Sequence, residues 1–202
     1  MTRRFFLACA VLLTAVTSGL SAQAKPAPAA QKPAAPAAAP AAKPAAAGAT
    51  VIVFDTTKGS VEISLLTAVA PKSTAHLIDL VKKKFYRGQR VHRVIGSLAQ
   101  FGDPQTKNVT LKDRWGTQNS GSPIGVAEIS KTEKHVRGAV GMACPDDDPK
   151  RADSQIYIMK TESPSLNGRY AIVGHVTVGM AIVDKWDVGE VIRDCYVKGE
   201  KK

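Results

Sequence analysis

The sequence predicts a mainly β domain, a closed eight-stranded antiparallel β-barrel capped by two α-helices. Short β-rich segments recur from Val51 to Val197, several alternating polar and apolar residues. Turn residues separate them, and only two stretches carry a helical signal. Many short strands with so few helices fit an antiparallel sheet rolled on itself better than a layered α/β fold.

Val51 to Thr57 is rich in β-formers, Lys58-Gly59 is a turn, and Ser60 to Leu65 alternates, so the first two strands form a hairpin. Pro71 opens a helix whose apolar face is Ala75, Leu77, Ile78, Leu80 and Val81. Lys82-Lys83-Lys84 end it and complement its dipole. Arg90 to Ile95 is the third strand and Ser97 to Phe101 the fourth. Asp103 to Thr132, rich in Gly, Pro, Ser, Asn and Thr, reads as long loops. Val136 to Ala143 and Gln155 to Lys160 are strands joined by the polar segment Pro145 to Asp153. Tyr170 to Val176 is a strand, Ala181 to Trp186 a short helix, and Val191 to Val197 the last strand.

Ahead of this domain lie two segments read as separate from its core. Residues 1–24 read as a secretory signal peptide: Arg3 and Arg4, an apolar run from Phe5 to Leu20, then the small-x-small site Ala22-Gln23-Ala24. The run of about 16 residues is short against the roughly 20 a spanning helix needs. A retained N-terminal anchor is the alternative. Residues 25–49 are almost entirely Ala and Pro with three lysines, which reads as a disordered linker. The chain therefore divides into 1–24, 25–49 and the domain 50–202. The domain's roughly 150 residues suffice for one core. The expected location is exported, periplasmic or cell envelope, with no stable membrane insertion once the signal is removed.

The formal charge is +11, which favours acidic partners. Aromatic content is only 5%, and no basic run is interleaved with aromatics, which argues against nucleic acid as a partner. Cys144 and Cys195 remain after the leader; an oxidising compartment would allow them to pair, which sequence alone does not decide, and free thiols are the favoured reading. There is no G-x-S-x-G, no H-E-x-x-H and no paired C-x-x-C. His76, His92, His135 and His175 are scattered and read as surface or structural residues. Asp146-Asp147-Asp148 lacks the glycine and distal glutamate of a calcium loop and reads as a solvated turn. No metal and no other cofactor is expected.

Val91-His92-Arg93-Val94-Ile95 followed by Gln100-Phe101-Gly102-Asp103-Pro104 resembles the active-site strand pair of the cyclophilins, the prolyl cis/trans isomerases. Val140-Gly141-Met142-Ala143 and Ser154-Gln155-Ile156-Tyr157-Ile158 resemble two further walls of the same pocket, in the same order. The resemblance covers about Val51 to Val197. It implies a barrel, a proline-containing polypeptide as substrate, and a monomer. It implies Arg93, Gln100 and His92 as the catalytic set: the catalytic arginine, a glutamine that binds substrate backbone, and a histidine that supports the strand. Leu98, Phe101, Ala143, Cys144, Gln155, Tyr157, Leu166 and Tyr170 become the substrate-binding residues.

The chemistry suits such a set. An X-Pro amide turns over a barrier near 20 kcal/mol because resonance resists twisting. A guanidinium offers a rigid fork of donors to the prolyl nitrogen or the neighbouring carbonyl. An apolar slot holds the ring while the acyl side turns. Cutting a lifetime of ~10–100 s to ~1 ms asks for roughly 5–7 kcal/mol.

The departures from the family pattern are specific. The interval Val94 to Ala99 lacks the usual Phe and Met and is one residue short. Leu98 is expected as a partial substitute and Phe101 as a filler of the vacated space. Cys144 stands at the usual Asn, Tyr157 at a common pocket Phe, and Ser165 at the tryptophan that contacts cyclosporin in sensitive members. The altered pocket leaves open a binding module or chaperone with weak or no turnover. The positive charge leaves open a polyanion-binding envelope protein.

Overall fold

Hairpin geometry starts the domain, as alternation requires. In the computed structural model, which describes residues 49–200, β1 (Val51–Thr56) and β2 (Gly59–Leu65) pair antiparallel from Val51↔Ser64 to Thr56↔Gly59. The expected leader and all of the linker but Ala49 lie outside the described residues. No helix of the described residues is long and apolar enough to cross a membrane.

The first helix, α1, is Pro71–Lys82, with Pro71 where its missing N–H is not needed. Ala70 gives no side-chain cap. The Glu128 carboxylate supplies one from the long loop, accepting the N–H groups of Lys72 at 2.9 Å and Ser73 at 2.7 Å. The buried face is Ser73, Thr74, Leu77, Leu80 and Val81. Ala75 is exposed instead of buried, because Thr74 turns inward to donate to the Ala70 carbonyl at 2.8 Å.

The remaining strands are β3 (Arg93–Val94), β4 (Leu98–Phe101), β5 (Ala139–Met142), β6 (Ile156–Met159), β7 (Ile172–Val178) and β8 (Ile192–Val197). The second helix, α2, is one turn, Met180–Val183, and starts earlier than expected, after Gly179 at φ +96°. Single 3₁₀ turns occupy much of the polar loops. All eight strands join one antiparallel sheet in the order β3-β4-β6-β5-β7-β2-β1-β8. The sheet is curled but not closed. Its edges β3 and β8 do not pair, and the gap ahead of them is spanned by the Arg90–Val191 bridge and four backbone hydrogen bonds between residues 88–91 and 189–192. The expected closed barrel is therefore an open, half-barrel sheet, because β3 has only two ladder residues to offer.

Side chains alternate faces along a strand, and β4, β5 and β6 use both faces. Ala99, Phe101, Val140, Met142, Ile156 and Ile158 enter the main core. Phe54, Tyr86, Phe101 and Trp186 meet there edge to face, with centroids 5.1 to 5.9 Å apart. The other face carries Leu98, Ala139, Tyr157 and Met159, which with Ile172 form a second, smaller cluster.

Two buried aspartates organise the polar segment between β4 and β5. Asp103 accepts from the backbone N–H of Gln105, Gly116, Thr117 and Gln118. Asp153 accepts from His76, the Ser120 hydroxyl and the N–H groups of Gly121 and Ser122. Burial pushes the Asp153 carboxyl up, but the bonds from His76, Ser120 and Ser122 outweigh it and hold it below the usual range. Burial likewise opposes ionisation of Glu128, and the bonds from Lys72 and Ser73 overcome it. A folded-state pKa below the unfolded one gives stability that is complete above about pH 5 and drains as pH falls below the ordinary carboxylate value near 4. The double variant Asp153→Asn/Glu128→Gln should therefore lose stability at pH 7 and show a shallower fall in urea midpoint between pH 5 and pH 3. An unchanged acid slope would contradict this assignment.

Candidate active site

One cross-strand rung builds the site. Arg93 on β3 is opposite Gln100 on β4, Gln100 is opposite Tyr157 on β6, and Tyr157 is opposite Gly141 on β5. The side chains of Arg93, Gln100 and Tyr157 project from the face away from the main core, and Gly141 leaves that face open opposite Tyr157. The rung puts a cation at the sheet edge and an aromatic ring at its middle.

A pocket of about 230 Å³ opens over this rung. Arg93 and Gln100 form its polar side, and Leu98, Tyr157, Leu166 and Tyr170 its apolar walls. Ala143, Cys144 and Asp147 complete the lining. A second pocket of about 240 Å³ shares Gln100, Ala143 and Cys144 and continues past Gln155 to the loop at Gly116 and Thr117. Together they make one groove, with Gln100, Ala143 and Cys144 at the junction.

The polar side is held in one orientation. Arg93 Nη1 donates to Gln100 Oε1 at 3.3 Å, and Gln100 Nε2 donates to Gln155 Oε1 at 2.8 Å. Gln155 Nε2 donates to the carbonyls of Gly116 at 3.0 Å and Gln118 at 2.9 Å. Those carbonyls accept only, so they dictate which way the Gln155 amide faces, and through it the Gln100 amide. Asp103 fixes the same loop from below by taking the N–H groups of residues 116–118. A chain of oriented dipoles thus runs from a buried carboxylate to an exposed guanidinium.

Eight of the ten other expected site residues surround Arg93 in this groove: Gln100, Leu98, Ala143, Cys144, Gln155, Tyr157, Leu166 and Tyr170. Phe101 is not among them. Its ring is fully buried in the main core against Phe54, Tyr86 and Trp186, because it follows Gln100 and must face the other way. It cannot touch a substrate. The floor is aromatic all the same, since Tyr157 supplies the ring. His92 also faces away from the pocket. Its imidazole underlies the 116–118 loop, where a Cβ on Gly116 would stand 3.1 Å from His92 Cδ2. Burial pushes its pKa down, against the opposite pull of Asp103 and Gln155, so it is neutral at pH 7. Its place is that of a support for the loop.

Three contributors escaped the sequence reading. Asp147 lines the pocket and accepts from the Tyr170 hydroxyl and from Arg169 at 2.9 Å. Asp103 carries the loop, and His135 lies beneath the floor. The Gly-Asp-Pro turn was a visible signal for Asp103, but nothing in the sequence paired it with residues 116–118. The acidic turn is more than a solvated run, since Asp146 pairs with Arg151 and Asp147 with Arg169.

Among the described residues, no activated nucleophile lines the groove. Burial, then Asp147 and Asp148, push the Cys144 thiol up, away from thiolate. Burial raises the Tyr157 phenol, and the bond to Asp147 raises Tyr170. Cys144 and Cys195 are both free thiols, and burial pushes Cys195 up to about 11. Among the described residues, no three His, Cys, Asp or Glu side chains are grouped to hold a metal ion. What the groove can offer is a fixed cation, oriented amides and an apolar slot.

A family model described as cyclophilin type peptidyl-prolyl cis-trans isomerase/CLD matches residues 51–200. A probable peptidyl-prolyl cis-trans isomerase of Brucella suis biovar 1 (strain 1330) is 39% identical over 155 residues, covering 75% of this chain and 78% of that protein. A peptidyl-prolyl cis-trans isomerase-like 1 of Aspergillus niger is 31% identical over 142 residues, 68% of this chain and 81% of that one. Among solved structures, a Cryptosporidium parvum cyclophilin type peptidyl-prolyl cis-trans isomerase in the presence of the dipeptide Ala-Pro superposes with a TM-score of 0.62. It is 21% identical and covers 74% of this chain and 99% of its own, a likeness of fold. With the family model spanning almost the whole described domain, this chain belongs to the cyclophilin-type peptidyl-prolyl cis-trans isomerases.

Proposed function

We propose that this protein is a prolyl isomerase that accelerates rotation about X-Pro bonds in exported polypeptides, with Arg93 as the catalytic group. The observation that carries the reading is the rung itself. A guanidinium on β3 and an aromatic floor on β6 face one pocket, with Gln100 on the strand between them. The proline ring rests on Tyr157 between Leu98, Leu166 and Tyr170. The preceding residues lie along Ala143 and Cys144 toward the second pocket, and Gln100 and Gln155 hold their backbone. Arg93 donates to the prolyl nitrogen as it loses conjugation, an interaction stronger in the twisted amide than in either planar isomer. No bond is made or broken.

The leader reading places this activity outside the cytoplasm, where it would assist folding of envelope proteins as a monomer. Two measurements test the pair of claims. Protein purified from the cell envelope should begin at Lys25 on N-terminal sequencing. In a refolding reaction limited by proline isomerisation, catalytic amounts should remove the slow phase. Protein that retains Met1, or a slow phase left intact, would contradict the respective claim.

Ser165, exposed in the 3₁₀ turn Pro164–Leu166, offers no ring to a cyclic peptide inhibitor. Loss of a tryptophan anchor weakens binding by ~2 kcal/mol or more, about 30-fold. Cyclosporin should inhibit this protein only weakly, and Ser165→Trp should restore at least ~10-fold of the affinity. Nanomolar inhibition of the unaltered protein would contradict this.

A further inference from the structure

Under the pocket floor lies a buried imidazole to which the isomerase reading gives no task. His135, at 1% exposure, stacks nearly parallel to Tyr157, with centroids 5.9 Å apart and planes 19° apart. His135 Nε2 is 2.8 Å from the Tyr157 hydroxyl. Nδ1 is 3.1 Å from Asn167 Oδ1, and the same oxygen accepts the His135 backbone N–H at 2.7 Å. Asn167 directly follows Leu166 on the pocket rim.

A proton inventory settles the direction of each bond. A backbone N–H only donates, so the Asn167 atom facing it is the amide oxygen. That oxygen only accepts, so Nδ1 carries the ring proton. A neutral imidazole then presents a bare lone pair at Nε2, and the donor to it is the Tyr157 hydroxyl. The phenol proton is thereby committed beneath the floor. Burial favours the same state twice, pushing His135 toward the neutral ring and Tyr157 toward the protonated phenol.

The facing strand is cut to fit. Gly141 is opposite Tyr157, and a Cβ there would stand 2.3 Å from both Tyr157 Cζ and its hydroxyl oxygen. The phenol lies across the space a side chain would fill, and that placement brings its oxygen to His135. Gly141, Tyr157, His135 and Asn167 therefore act as a set.

We propose that His135 is a positioning residue for the isomerase: by accepting the Tyr157 hydroxyl proton and binding Asn167, it ties the pocket floor to the Leu166 rim and keeps a polar proton out of the proline slot. The proposal rests on the reading of this pocket as the proline site. It makes a tyrosine floor equivalent to an apolar one only while its hydroxyl is occupied from below.

The test uses the full chain and an Ala-Pro tetrapeptide, with kcat and KM from isomerisation kinetics and Kd from titration. His135→Leu removes the acceptor, and His135→Gln keeps a polar atom near the Nε2 position. Tyr157→Phe is made in the unaltered and the His135→Leu backgrounds. His135→Leu should raise KM and Kd about 5-fold with kcat within about 2-fold, because an unmatched polar group in the slot penalises binding. Tyr157→Phe should bring the His135→Leu protein back to within about 2-fold of Tyr157→Phe alone, and His135→Gln should fall between His135→Leu and the unaltered protein. An unchanged KM in His135→Leu, or an equal rise with and without Tyr157→Phe, overturns the proposal. Nitrogen-15 NMR of the unaltered protein tests it without substitution: His135 protonated at Nδ1 and bare at Nε2 is required, and the opposite tautomer sinks it. If the unaltered protein binds the tetrapeptide without isomerising it, the isomerase reading fails, while Kd and the tautomer still judge the His135 clamp.

Discussion

Arg93→Ala lowers kcat/KM for an X-Pro peptide by about two orders of magnitude and leaves the melting temperature within about 2 °C. The two halves of that expectation have separate causes. Arg93 is exposed at the edge of the sheet, and among the described residues its side chain hydrogen-bonds only Gln100, so its removal creates no cavity and orphans no buried group. Surface changes of this kind shift stability by a few tenths of a kcal/mol. Among the described residues it is the only cation lining the proposed proline pocket, and removal of one preorganised donor from a developing charge costs ~10²–10³ in rate. Arg93→Lys should recover little, since an ammonium lacks the planar fork that reaches Gln100 and substrate together. Kinetics of the two variants beside thermal denaturation check this. A loss of less than about 5-fold would remove Arg93 from the catalytic role.

Asp103→Ala should be the most damaging polar substitution in the long loop, at about 4 kcal/mol of unfolding free energy. The carboxylate is fully buried and takes four backbone N–H groups, from Gln105, Gly116, Thr117 and Gln118. Each orphaned buried donor costs ~1–3 kcal/mol, reduced where the loop relaxes to admit water. At roughly 2–4 °C per kcal/mol for a domain of this size, the melting point drops by on the order of 10 °C. Asp103→Asn, which keeps one acceptor oxygen, should lose about half as much. Activity should fall too, because the Gly116 and Gln118 carbonyls that orient Gln155 belong to the same loop. Urea unfolding at unchanged slope reads the stability effect, and a loss below about 1 kcal/mol would show that the loop holds itself.

Much of this arrangement is written in local pattern. The β1–β2 hairpin, the alternation that splits β4 and β6 between two faces, and the helix opened by Pro71 all follow from spacing and turn residues. The same alternation excludes Phe101 from the pocket, because adjacent strand residues cannot share a face with Gln100. Sheet closure is not local. It depends on segments about a hundred residues apart, and although Gln89 to Val91 bonds to Glu190 to Ile192, that contact does not extend into a ladder between β3 and β8. The short β3 is a related case: of the strand expected from Arg90 to Ile95, only Arg93 and Val94 join the ladder, and Ile95 is exposed.

In the site, the legible residues are those with a type-specific chemistry at a family position. The illegible ones act through hydrogen bonds to distant loops. Asp103 reaches residues 13 to 15 positions away, and His135 reaches Tyr157 and Asn167, 22 and 32 positions away. A histidine among four scattered ones carries no mark of which will be buried under a pocket. Cys144 and Cys195 are both free, Cys144 partly exposed at the groove and Cys195 buried in the core.

The most direct test of the central claim is exchange spectroscopy by NMR on a short X-Pro peptide, with the unaltered protein and with Arg93→Ala at equal concentration. The account predicts exchange cross-peaks between cis and trans proline signals at substoichiometric protein, on a timescale far shorter than the ~10–100 s of the free peptide, and their near-disappearance with Arg93→Ala. Chemical-shift changes that report binding without accelerated exchange, across several residues before proline and in protein shown to be folded, would contradict it and identify the groove as a binding site alone.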